Sequence, residues 1–227
     1  MKPIVANKNG RISFLILKSY NFAALSASWP TDARKIMMKQ IAIFASGTGS
    51  NAKNIIEYLN KRSNSAAKVC LVVCNKPDAG VLNIAANNKV PSIIIDKEKF
   101  FRGNGYVDEL KAANIDFIVL AGFLWKIPSV LIKTFRGKMI NIHPALLPKY
   151  GGKGMYGRFV HEAILANKER ESGITIHFVD EVYDNGQIIL QATCVVDEND
   201  TPETLEKKVQ VLEHRHFPAA VAFLATL

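Results

Sequence analysis

The run 116–121 (DFIVLA) is apolar at every position after the first. A strand reads this way when both of its faces are buried, the condition of an inner strand in a parallel sheet. Parallel neighbours cannot be joined by tight turns, so such a strand demands crossover helices on either side. The chain supplies them. Apolar runs at 41–45, 69–74, 91–95 and 138–142 alternate with helical stretches at 52–61, 79–88, 106–114 and 128–135, and 96–105 reads as loop. This alternation predicts an α/β fold: a Rossmann-like, mostly parallel central sheet with helices on both faces.

Beyond residue 142 the pattern changes. A glycine-rich loop, KYGGKGMYG at 149–157, precedes a helical stretch at 158–167. Strands at 173–179 and 187–196 follow, joined by DEVYDNG, whose Asn-Gly suits a hairpin-like connection. An antiparallel C-terminal strand pair is therefore expected. Thr201 and Pro202 then open a last helix, as N-cap and first helical residue.

Residues 1–37 carry no clean periodicity, and Met37 and Met38 stand just ahead of KQIAIFAS. They read as an N-terminal extension, disordered or not native to the domain, with 38–227 as one folded unit. A targeting peptide, an upstream stretch included by an early start codon and a structural extension all fit.

The net charge of +9 invites a nucleic-acid reading, but its distribution weakens that. Residues 1–37 hold six cations against Asp32 alone, a net +5, leaving +4 for the other 190 residues. No basic cluster is interleaved with aromatics, so the excess suits anionic small molecules as well as it suits nucleic acid. No apolar run approaches the roughly 18 residues of a membrane span. Three cysteines at irregular spacing are too few for a secreted disulfide framework. Cys70 and Cys74 fall in an apolar run and read as buried core. The expectation is a cytoplasmic protein with small-molecule substrates, no nucleic-acid partner and no membrane.

Strand, then Gly47-Thr48-Gly49-Ser50-Asn51-Ala52, then helix also fits a dinucleotide fingerprint. The acidic residue that should hold a ribose at the end of the second strand is absent, since that strand ends Cys74-Asn75-Lys76. Glycines still let a backbone approach an anion at a helix N-terminus. A single phosphate is favoured over a dinucleotide, with a ligand-free tight turn as the bland alternative. Further on, Asn141 and His143 sit two residues apart at the carboxyl end of a strand, on the same side. An amide to hold a developing oxyanion beside an imidazole to move protons is a plausible acyl-transfer pair. A lone strand-end histidine is more often structural, so the pair alone does not decide.

SGTGSN after the first strand, AGFLWKIP, NIHPALLPKY, GITIHFVDEVYDNG with ILQA, and EHRHFP together resemble the phosphoribosylglycinamide formyltransferase family, over about residues 39–224. NIHPALLPK points to the folate formyltransferase superfamily, and SGTGSN narrows it to the purine-pathway family. The resemblance implies transfer of the formyl group of 10-formyltetrahydrofolate, a co-substrate, to the amine of glycinamide ribonucleotide, without a metal. His143 looks like the catalytic histidine, Asn141 like the amide on the formyl oxygen, and Asp184 like the aspartate that keeps His143 protonated. Gly49, Ser50 and Asn51 match the segment that grips the substrate phosphate. Gln210, Val211, Leu212 and Glu213 match a second substrate contact. Leu124, Trp125, Lys126 and Ile127, with Asp180, Glu181, Val182, Tyr183 and Asp184, match the loops around the folate. Arg102 is a further folate candidate. The loop GGKGMYG is longer than in many members, and Trp125 departs from the pattern of the folate loop.

The remaining histidines are read more plainly. His161 is taken as solvated or half-buried, and His177 as core or as support near Asp184. His214 and His216 lie on different faces of a helix and cannot easily share a metal ion. Two rival functions stand beside the family reading: another hydrolase or transferase of the same superfamily, or a non-catalytic nucleotide-binding Rossmann-like module.

Overall fold

The computed structural model describes residues 4–5, 38–63 and 65–225. In chain order the strands are β1 (Ile4–Val5), β2 (Lys39–Ala45), β3 (Ala67–Cys74), β4 (Ser92–Ile94), β5 (Phe117–Leu120), β6 (Met139–His143), β7 (Glu171–Phe178) and β8 (Ile188–Val195). The helices are α1 (Ser50–Asn60), α2 (Gly80–Asn87), α3 (Lys97–Arg102), α4 (Val107–Ala112), α5 (Ser129–Thr134), α6 (Arg158–Ala166) and α7 (Pro202–Leu224).

All four residues of β5 are buried, as its unbroken apolar run requires. It lies between β2 and β6 in a sheet of order β1-β8-β7-β6-β5-β2-β3-β4. Pairing is parallel from β4 through to β6; β7 runs against both β6 and β8. The strand order reverses between β2 and β5, so the carboxyl ends of these strands open a crevice there.

Period-two alternation divides the strands between two cores. Ile41, Ile43 and Ala45 of β2 face a layer that includes α1, α6 and α7. Ala42 and Phe44 face the other layer, with Phe100, Leu110 and Leu131 of α3, α4 and α5. Each fully buried aliphatic or aromatic side chain contributes on the order of 1.5–3 kcal/mol. Helices of six residues are unstable alone, so this burial, and not propensity, holds α3, α4 and α5 in place. On α1 the buried positions are Ala52, Ile55, Ile56 and Leu59, the spacing of a single helical stripe.

One reading needs correction. The stretch 96–105 contains α3, begun by Asp96, whose side chain accepts the Lys99 N–H at 2.9 Å. Six residues, fewer than two helical turns, are too few to show a period in sequence. Within the N-terminal extension, Ile4 and Val5 pair in parallel with Leu190 and Gln191 on the outer edge of β8. A two-residue strand has no alternation to read, and the partner edge decides it. The reading of the extension over 1–3 and 6–37 lies outside the described residues. Among the described residues, no helix is long and apolar enough to cross a membrane.

Candidate active site

β6 ends beside the crevice and carries Asn141 and His143 on one face. Its antiparallel partner β7 sets His177 directly opposite Asn141. The loop leaving β6 is pinned to the sheet from below: the buried Thr175 hydroxyl donates to Ala145 O at 2.6 Å and accepts the Leu147 N–H at 3.0 Å. The β7–β8 connection brings Asp184 over the end of β6, with its backbone in the left-handed region, φ 52°.

Four side chains meet there. Asn141 Nδ2 lies 3.1 Å from His177 Nε2, and His177 Nδ1 lies 2.8 Å from Phe178 O. A carbonyl only accepts, so Nδ1 donates to it, and Nε2 is the ring atom that faces the Asn141 amide. Asp184 stands between the two histidines, 3.6 Å from His177 Nε2 through Oδ1 and 3.6 Å from His143 Nδ1 through Oδ2. His143 Nε2 lies 2.7 Å from Tyr150 O, and the Gly152 N–H donates to Asp184 Oδ2 at 2.9 Å.

The charges follow from burial and neighbours. His143 is only 4% exposed, and burial holds its imidazole below the usual pKa against the opposing pull of Asp184 and of the Tyr150 carbonyl. The Asp184 carboxylate acts on His143 in the expected sense, favouring the imidazolium, while desolvation acts against it. For Asp184, burial pushes the carboxyl up, but the polar groups around it, the Gly152 N–H among them, outweigh that and hold it below its ordinary range.

These groups face a cavity of about 540 Å³. Leu124, Trp125, Lys126 and Ile127 line one wall, with Asp180, Glu181, Val182, Tyr183 and Asp184 across the mouth. The Leu124 N–H donates to Ser46 Oγ at 3.0 Å, tying this wall to the end of β2. Trp125 packs on Phe100 and Phe101, at centroid distances of 5.7 and 5.5 Å. Lys126 Nζ sits 5.4 Å over the Tyr183 ring, linking the two loops.

The opposite wall contains Asn51, Gln210 and Glu213. Asn51 Nδ2 donates to Glu213 Oε2 at 2.8 Å, while the buried Asn51 Oδ1 has no partner among the described residues. Burial raises the Glu213 carboxyl pKa against that hydrogen bond.

Some expected residues stand elsewhere. Gly49 and Ser50 do not line the cavity; Gly49 begins α1 with φ 83°, and a Cβ there would sit 2.7 Å from Val81 Cα. Val211 is 65% exposed and Leu212 packs against the core, because successive helical residues point in different directions. Arg102 lies on the solvent side of α3, paired with Glu98 at 3.4 Å, and does not line the cavity.

Other residues join the site. His161, read as solvated or half-buried, is 2% exposed and lines the cavity. It lies beside Val160 and one turn before Ile164 on the buried stripe of α6, and that apolar spacing was its signal. Burial lowers its pKa, opposed by Glu206. His177 belongs to the centre, and its alternation with Thr175 was the readable hint.

A family model described as formyl transferase matches residues 39–221. The chain is 43% identical over 188 residues to chloroplastic phosphoribosylglycinamide formyltransferase of Arabidopsis thaliana, covering 81% of this chain and 64% of that protein. It thus spans a little under two thirds of that relative's length. With phosphoribosylglycinamide formyltransferase of Bacillus subtilis it shares 36% identity over 194 residues, covering 84% of this chain and 96% of that one. The crystal structure of phosphoribosylglycinamide formyltransferase from Bacillus halodurans superposes with a TM-score of 0.74 at 36% identity, covering 82% and 95% of the two chains. With a family model spanning both walls of the cavity and the Asn141–His143 strand between them, the chain belongs to the formyl transferase family.

Proposed function

We propose that this protein transfers the formyl group of 10-formyltetrahydrofolate to the amine of glycinamide ribonucleotide, a step of purine biosynthesis. The observation that carries the reading is the Asn141–His177–Asp184–His143 cluster at the floor of a cavity with two chemically different walls. The 124–127 and 180–184 wall offers aromatic and apolar surface with backbone groups, suited to a flat heterocycle. The Asn51–Glu213 wall offers a carboxylate and an unpartnered amide oxygen, suited to the hydroxyls and amine of a polar nucleotide. The N-terminus of α1, which reaches the cavity through Asn51, is the position we assign to its phosphate.

The folate supplies an activated formyl carbonyl. Asn141, with one amide hydrogen engaged by His177, keeps the other for the formyl oxygen as negative charge develops. As the amine's bond to the formyl carbon forms, the bond from that carbon to the folate nitrogen breaks; the proton the amine loses reaches the leaving nitrogen through His143 or water, and Asp184 stabilises the His143 imidazolium. The three cysteines are free, which suits a reducing, cytoplasmic compartment. Formyl transfer to glycinamide ribonucleotide, assayed with the full chain and with His143→Ala, tests this. Turnover should fall by at least about 10²-fold in the variant. Absence of transfer by the unaltered chain rejects the reading.

A further inference from the structure

The wall assigned to the nucleotide has carboxyl groups but no lysine or arginine. Glu206, Gln210 and Glu213 stand at i, i+4 and i+7 on α7, so one helical face presents all three to the cavity. Among the described residues no arginine lines the cavity, and the two lysines that do lie elsewhere. Lys126 sits over the Tyr183 ring, and Lys153 is exposed on the 149–157 loop. A phosphate at the N-terminus of α1 therefore arrives beside a wall whose ionisable groups, His161 apart, are carboxyl groups. Like charges brought together away from bulk water repel strongly, so a compensating positive charge is needed.

His161 is placed to supply it. The ring lines the cavity at 2% exposure, and its buried Nδ1 has no hydrogen-bond partner among the described residues. Such an atom is uncommon in a folded protein and marks a bond left for a ligand or a water. The Gln210 amide donates to Glu206 Oε1 at 3.1 Å and holds that carboxylate on the cavity face. Arg158 bridges Glu162 and Glu203, at 2.6 and 2.5 Å, and so ties α6 to α7. Burial holds the free imidazole below its usual pKa; Glu206 on α7 opposes this, and His143 at the end of β6 adds to it. Glu213, whose carboxyl burial pushes up, is the other group on this wall able to take a proton.

Resting on the function proposed above, we infer that His161 is a specificity residue for the phosphate of the nucleotide, taking up a proton from solvent as that substrate binds. The sign follows from the charges. An arriving dianion favours the imidazolium and so raises the midpoint of the ring. Between the free and the bound midpoints, each nucleotide bound draws a proton onto His161, and binding weakens as pH rises through the bound midpoint. A histidine buried only for packing does neither.

Calorimetry of nucleotide binding to the full chain, without folate and in two buffers of different ionisation enthalpy, counts the protons. Near neutral pH, glycinamide ribonucleotide should draw in about half a proton or more. His161→Gln should lose most of that uptake and bind about tenfold more weakly, as loss of a hydrogen bond to a charged group does. Glycinamide riboside, which lacks the phosphate, should bind without the uptake. Uptake that persists in His161→Gln puts the proton on Glu213 or on the phosphate itself and overturns the inference. Equal uptake with the riboside assigns it to the ribose or the amine and also overturns it. Binding of the nucleotide with no uptake rejects the role of His161 alone, whereas a nucleotide that does not bind rejects the proposed function as well. Should His161→Gln not fold, nitrogen NMR of the unaltered chain with ¹⁵N-labelled histidine decides. The His161 midpoint should rise by about one pH unit or more on adding the nucleotide, and a stationary midpoint overturns the inference.

Discussion

Asn141 and His177 face each other across the β6–β7 ladder, and the histidine's Nε2 sits 3.1 Å from the amide nitrogen. A rigid strand pair thus chooses which end of the Asn141 amide faces the cavity. His177→Phe removes the acceptor and lets the amide turn its oxygen toward the formyl oxygen. Turnover should then fall by about tenfold or more, the scale of losing one oxyanion donor, while both Michaelis constants stay within about threefold. His177→Gln, which retains an acceptor, should recover part of the loss. Steady-state kinetics on both variants check this, and equal defects would count against orientation as the cause.

The pH dependence has a definite sign. Burial disfavours the His143 imidazolium, and the Asp184 charge opposes that effect. The pKa therefore lies below the ordinary histidine value, and the limb that His143 gives the pH–rate profile falls below that value too. Asp184→Asn removes the opposing charge and leaves burial unchecked. The limb should move to lower pH, and turnover at neutral pH should fall by about tenfold or more because the imidazolium is less stabilised. A pH–rate profile whose limb moves upward would contradict the charge assignment.

Asn51 binds Glu213 on the wall assigned to the nucleotide. Asn51→Ala leaves that half-buried carboxyl group without its donor, and should raise the Michaelis constant for glycinamide ribonucleotide by about tenfold, as loss of a hydrogen bond to a charged group does. The constant for the folate should change little. If the folate constant moved instead, the two walls would be assigned the wrong way round.

β1 adds two residues of backbone pairing to the edge of β8. A chain beginning at Met38 should fold and turn over normally, with Tm lowered by less than about 4 °C, the shift that 1 kcal/mol produces at this size. Thermal melting and the transfer assay settle it, and a larger fall would make the N-terminal segment part of the folded unit.

What was legible in sequence lives within about ten residues. The buried-strand run at 116–121, the period-two strands and the stripe of α1 each declare themselves locally, because burial repeats with the backbone's own period. The Asn141–His143 spacing was legible for the same reason. Three features needed the folded chain. His177 reaches Asn141 only through the antiparallel register of β6 and β7, 36 residues apart in sequence. Burial pulls the His143 pKa down because packing removes it from water, which no neighbour in sequence can tell. Val211 and Leu212 drop out of the site while Gln210 and Glu213 remain, because the docking angle of α7 selects which helical face meets the cavity. Register, desolvation and docking angle are relations between distant segments, and they exist only once the chain has closed on itself.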